Sequence, residues 1–243
     1  YTLLGRIRLT LTAKLSQAVI VTDPLNCKLL LQWSGASEGK YTLIPIGSNL
    51  LCMPPLKYDR TEQRVRLGVS ADSVVLAYFG FIGPSKGVDT LLKAFGDVLA
   101  STPQVDLRLW LVTDREPTSE SYRLDYEAFS HQVANFPYPN RLIWTGYLEP
   151  SDVSAYLLAA DVAVLPFKDG VSLRRGSLLA ALTHSLPVIS TIGLATDTGQ
   201  LNQESGLYLV PTEDTQALAK AIVMLANDAS LRKTLAARAN QFS

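Results

Sequence analysis

The chain alternates between short unbroken apolar runs and stretches whose apolar residues recur every three or four positions. VVLAYF, Val74 to Phe79, is short, aliphatic and followed directly by Gly80, the mark of a buried strand. After it, Val88, Leu91, Leu92, Phe95, Val98 and Leu99 fall on one face of a helix that the STP at 101–103 ends. VDLRLWLV (105–112) predicts a second strand, 121–136 a polar helix and RLIWTG (141–146) a third strand. A short helix capped by Ser151 then carries Val153, Tyr156, Leu157 and Ala160. VAVLP (162–166), PVIST (187–191) and LYLVP (207–211) read as three further strands, and GSLLAALTH (176–184) as a helix. A C-terminal helix places Leu218, Ile222 and Leu225 on one side.

Mostly uncharged strands alternating with helices predict an α/β fold, a Rossmann-like parallel sheet with helices on both faces. Such sheets seat ligands at the carboxyl ends of their strands, which singles out the loops 80–87, 113–117, 146–150 and 167–176. The first residues follow the same logic on a smaller scale. LTLTAKLSQ (9–17) reads as helix, AVIVTD (18–23) as strand, PLNCKLLLQW (24–33) as helix and YTLIPIG (41–47) as strand. Because the chain opens at Tyr1 inside a helical pattern, residues 1–47 are read as the tail of an N-terminal Rossmann-like domain. Residues 48–64 hold two prolines and no clean period and read as an interdomain linker, leaving 65–243 as the second domain.

Composition then limits the chemistry. Hydrophobic residues make up 47% and charged residues 18%, which predicts a sizeable core and excludes global disorder. Lys plus Arg and Asp plus Glu both total 22, so the broad basic excess of a nucleic-acid binder is missing while a local anion site stays open. Cys27 and Cys52, His131 and His184 show no metal-ligand spacing. No zinc site is expected, although carboxylates could still hold magnesium. No window approaches the roughly 20 apolar residues of a membrane span, and the start shows no signal-peptide pattern.

Two loops carry anion chemistry. YFGFIGPSKG puts Gly80, Gly83, Lys86 and Gly87 between a strand and a helix, where backbone amides, helix start and lysine can meet a phosphate. The order is neither a Walker A loop nor G-x-G-x-x-G, and a plain strand-helix turn remains the alternative. In VAVLPFKDGVSLRRGSLLAALTH, Arg174, Arg175, Gly176 and Ser177 stand at the start of an apolar helix. Cations there oppose the helix dipole by about 0.3–1 kcal/mol each, so the pair makes sense with an anion between it and the helix end. The alternative is that both arginines face solvent or pair with Asp169.

YFGFIGPSKGVDTLLKAFGDVL, NRLIWTGYLEPSDVSAYLLAADVAVLPF, LLAALTHSLPVIST and GLYLVPTEDTQALAKAI resemble, in order and spacing, the C-terminal domain of retaining GT-B glycosyltransferases of family 4. The resemblance covers roughly residue 18 to the end and implies one half of a GT-B architecture with the tail of the other. It implies a nucleoside-diphosphate sugar as donor substrate and a saccharide or glycolipid as acceptor, with no cofactor, metal or nucleic acid. The setting it implies is cytoplasmic, at the inner membrane face, with peripheral membrane contact through the N-terminal domain. Lys86 matches the lysine on the donor diphosphate, and Tyr147 and Leu148 lie where backbone groups meet the nucleobase. The loop from Asp169 through Gly170, Ser172, Arg174 and Arg175 to Gly176 and Ser177 matches the segment around sugar and phosphates. Gly80, Phe81 and Gly83 complete the donor set.

Three positions depart from the family pattern. Its arginine after the first strand's glycine is Phe81 here, and its two glutamates, eight positions apart, are Ser172 and Ala180. Lys86, Arg174 and Arg175 remain to stabilise the leaving diphosphate, with Arg174 and Arg175 replacing the charge missing at Phe81 and Asp169 standing in as a carboxylate for the sugar. The other reading is a non-catalytic nucleotide-sugar-binding or partner protein that kept the fold.

Overall fold

In the computed structural model, which describes residues 2–35, 38–117 and 119–242, the chain forms two units, 1–47 and 48–243. In the first, Leu3–Leu15 (α1), Val19–Val21 (β1), Pro24–Ser34 (α2) and Tyr41–Leu43 (β2) follow one another, and β1 and β2 pair in parallel with Val19 opposite Tyr41. Helix α1 starts six residues before the predicted Leu9 because the Thr2 hydroxyl accepts from Gly5 N at 3.2 Å and caps it there.

The second unit runs Arg60–Arg66 (α3), Val74–Phe79 (β3), Val88–Ser101 (α4), Leu107–Val112 (β4), Arg123–Ala134 (α5), Leu142–Trp144 (β5), Pro150–Ala159 (α6) and Val162–Leu165 (β6). Gly176–Thr183 (α7), Val188–Ile192 (β7), Leu207–Pro211 (β8), Thr215–Asn227 (α8) and Ala229–Phe242 (α9) complete it. Its six strands are all parallel, in the order β5-β4-β3-β6-β7-β8. Val75, Leu76, Leu109, Trp110, Val164 and Ile189 are fully buried, as strands covered on both faces require. The chain winds one way from β3 through β4 to β5 and the other way from β6 through β7 to β8. The order therefore reverses between β3 and β6, and the loops leaving those two strands diverge to open a crevice.

Two local readings change. The end of the segment read as linker is helix α3, capped by Asp59, whose carboxylate accepts from Glu62 N at 2.8 Å. Its buried Arg64 donates to Asp161 at 2.9 Å and to Ala159 O at 3.0 Å, fastening α3 to the entrance of β6. Helix α6 is capped at Glu149, with Pro150 in its first turn and Ser151 already helical. Proline's fixed φ and missing N–H suit that position, so the boundary moves before the serine. Buried His184 joins α6 to α7: Nδ1 donates to Ala180 O at 2.7 Å, leaving Nε2 to accept from the Ser154 hydroxyl at 2.8 Å.

Candidate functional site

The crevice holds a cleft of about 690 Å³ at the carboxyl edge of the sheet. The loop after β3 contributes Gly80, Phe81 and Lys86, the end of β4 contributes Thr113 and Asp114, and the loop after β5 contributes Gly146, Tyr147 and Leu148. Gly176 and Ser177, opening α7, close the far side, and Asn49 and Leu50 line the rim.

Backbone contacts fix the two cationic loops against each other. Gly87 has φ +65, and a Cβ there would run into the carbonyl oxygen of Pro166, so only glycine lets the loop after β3 rest on the end of β6. Lys168 N donates to Ser85 O at 3.0 Å and ties the same loops together. Further out, Gly170 has φ +93 and a Cβ on it would lie 2.6 Å from Gly193 N, while Ala195 N donates to Asp169 O at 3.1 Å. The turn bearing Asp169 is thereby clamped to the loop after β7.

Lys86 is the electrostatic centre. The residue is only 7% exposed, and burial, then the nearby Arg175 charge, lowers its pKa from 10.5 to about 8, against the opposing pull of Asp169. Its ammonium lies 4.2 Å from the Phe81 ring centre and 5.3 Å from that of Phe167. Arg175 sits at the N-cap of α7 without a side-chain cap, places its guanidinium 4.6 Å from the Phe167 ring and ion-pairs with Asp169. Two cations therefore meet the uncapped start of an apolar helix, an arrangement that attracts anions.

The predicted residues divide into three groups. Gly80, Phe81, Lys86, Tyr147, Leu148, Gly176 and Ser177 share the cleft wall. Arg175 and Asp169 join them through the charge coupling to Lys86 and the ion pair. Arg174 is exposed and outside the wall, so the structure brings one guanidinium, not two, to the lysine; the turn in which Arg175 N donates to Ser172 O at 3.0 Å separates the neighbours. Gly83 lines a smaller neighbouring pocket with Asp125 and Phe129. Ser172 is 3% exposed with its hydroxyl unpartnered among the described residues, and Ala180 is fully buried in α7. The pairing of Arg175 with Asp169 is the alternative left open by the sequence.

Asn49, Leu50 and Phe167 are site residues that the sequence does not single out by side chain. The first two lie in a stretch without periodicity, and Phe167 opens the singled-out loop 167–176 but carries no side-chain signal beyond an aromatic after a strand. Among the described residues, no group of three or more His, Cys, Asp or Glu is placed to hold a metal ion, and no helix is long and apolar enough to cross a membrane.

A doubly wound parallel sheet with a cationic cleft at its switch point defines a Rossmann-like ligand-binding domain. Comparison with known proteins narrows this: the profile described as Glycosyl transferases group 1 matches residues 73–228, and the chain belongs to that family. It is 27% identical over 218 residues to D-inositol 3-phosphate glycosyltransferase of Kineococcus radiotolerans, a match covering 86% of this chain and 49% of the relative. The chain thus spans about half the length of the curated relatives it matches over most of its own length. Among solved structures, sucrose-phosphate synthase from Thermosynechococcus elongatus superposes with a TM-score of 0.76 at 24% identity, covering 97% of this chain and 56% of that one. HepE of Anabaena, solved in complex with UDP and glucose, superposes with a TM-score of 0.75 at 20% identity, covering 97% and 60%. Both share the fold of this chain.

Proposed function

We propose that the cleft binds a nucleoside-diphosphate sugar and that this chain is the donor-binding part of a glycosyltransferase. The hexosyl group passes to an acceptor hydroxyl, with retention, in polysaccharide or glycolipid synthesis on the cytoplasmic side of a membrane. The observation carrying the reading is the convergence of Lys86 and Arg175 on the start of α7 beside a cleft of nucleotide size. Family membership and the UDP and glucose held by a protein of the same fold support it.

In this reading the nucleoside lies along Thr113, Gly146, Tyr147 and Leu148, and the diphosphate reaches Lys86, Arg175 and the amides opening α7. As the glycosidic bond breaks, negative charge grows on the leaving phosphate, and fixed cations and amides that need not reorganise lower the barrier. The acceptor is a saccharide or glycolipid. The buried methyl of Ala180 and the neutral Ser172 hydroxyl favour one second reading, a protein that binds the nucleotide sugar without transferring it.

Thermal melting with UDP, GDP, ADP and inorganic pyrophosphate tests the reading. A diphosphate at about 100 times its dissociation constant stabilises by about 2.7 kcal/mol, a shift of several degrees. No shift with any of the four at millimolar concentration overturns donor binding. A shift, with no sugar transfer to any acceptor by a full-length protein carrying both domains, selects the second reading.

A further inference from the structure

Phe81, Lys86, Phe167 and Arg175 alternate ring and cation, and we propose that Phe167, with Phe81, is a positioning residue that holds both cations ready for a diphosphate. The inference rests on the nucleoside-diphosphate reading of the cleft. Lys86 Nζ stands over both rings, at 4.2 Å from Phe81 and 5.3 Å from Phe167, while the Arg175 guanidinium carbon stands 4.6 Å from Phe167. Phe167 thus serves two cations with one ring. Phe81 is braced in turn by Tyr122, ring centres 5.7 Å apart and planes 8° from parallel.

The chemistry of the contact explains why aromatic rings occupy these places. Two like charges crowded into a partly buried corner repel each other and lose hydration. A second carboxylate would relieve both penalties but would occupy the N–H groups that phosphate oxygens need. An aliphatic side chain would leave the donors free and the repulsion uncompensated. An aromatic face attracts each cation through its quadrupole and takes up no N–H donor. Asp169 engages one guanidinium nitrogen of Arg175 from the exposed side.

Phe167 is suited to hold a position. The residue is 1% exposed, its N–H donates to Leu165 O at 3.0 Å, and its carbonyl accepts from the Thr191 hydroxyl and from Gly170 N at 3.2 Å. Phe81, 40% exposed, offers the same contact to Lys86 from the solvent side, where substitution disturbs no core.

Calorimetric titration of the 243-residue chain with UDP and with inorganic pyrophosphate, across pH 7 to 9.5, tests the inference. F167L and F81L each lower the affinity for both ligands about three- to tenfold, the range of a partly desolvated cation–π contact. Both also move the alkaline loss of binding, set by Lys86 with Arg175 and Asp169 facing it, to lower pH, because the ammonium has lost a stabilising face. F81Y restores affinity and pH limb. Melting temperatures verify folding; if F167L melts below the assay temperature, F81L and F81Y carry the decision. Wild-type affinity and an unshifted limb in folded F167L and F81L overturn the inference alone. A wild-type chain that binds neither ligand removes the diphosphate reading and the inference with it.

Discussion

Replacing Lys86 with methionine sets stability against binding. Methionine keeps an apolar stem between Phe81 and Phe167 and removes the charge. The ammonium's pKa falls from 10.5 to about 8 on folding, chiefly through burial and then through Arg175, so the folded chain holds the charged form less readily than the unfolded chain does. At about 1.4 kcal/mol per pH unit that gap corresponds to at most ~3.5 kcal/mol. Solvent reaching the cleft screens part of it, and the ring contacts return about 0.5–2 kcal/mol, leaving a net cost of ~1–2 kcal/mol. Lys86→Met is therefore expected to be more stable than wild type at pH 7 by that amount, or about 2–8 °C in melting temperature for a domain of this size. A depressed pKa contributes stability above 10.5 that is lost as pH falls through about 8, so the advantage of the variant shrinks as pH rises from 8 towards 10.5. Urea unfolding followed by tryptophan fluorescence at pH 7 and pH 10 reads both effects. A variant less stable than wild type at pH 7, or an advantage unchanged at pH 10, refutes the argument.

Gly87→Ala forces a side chain against the Pro166 carbonyl at positive φ and is expected to cost about 2–4 kcal/mol in urea unfolding while weakening UDP binding, because the two cationic loops separate. Arg175→Ala is expected to lower UDP affinity at least about tenfold, and Arg174→Ala less than about threefold, in parallel calorimetric titrations, since only the former couples to Lys86. Burial lowers the His184 pKa below 6.5 against the opposing bond to Ala180, so its contribution is full above pH 6.5 and is lost as pH falls below it. Unfolding free energy of the wild type should drop by up to about 1.4 kcal/mol per pH unit between pH 6.5 and 5 relative to His184→Gln, as urea midpoints at three pH values would record.

What the sequence discloses follows from how local each cause is. Strands such as VVLAYF and VAVLP are legible because burial on both faces writes itself into consecutive apolar residues. Helix α3 is not, because it is polar and held by Arg64 reaching Asp161, a partner 97 residues away. The anion-seeking loops announce themselves through glycines and cations at strand ends. Which of two adjacent arginines turns inward does not, since it depends on the Ser172–Arg175 turn and on the face of Phe167. Asn49 reaches the cleft from a segment without periodicity and leaves no local trace.

A crystal structure of the chain with UDP tests directly whether Lys86 and Arg175 receive the diphosphate. The diphosphate is expected at the start of α7, with phosphate oxygens within about 3 Å of Lys86 Nζ and of an Arg175 guanidinium nitrogen, and the base near Tyr147 and Leu148. UDP bound elsewhere, or at this cleft with Lys86 and Arg175 both turned away from its phosphates, would contradict this expectation.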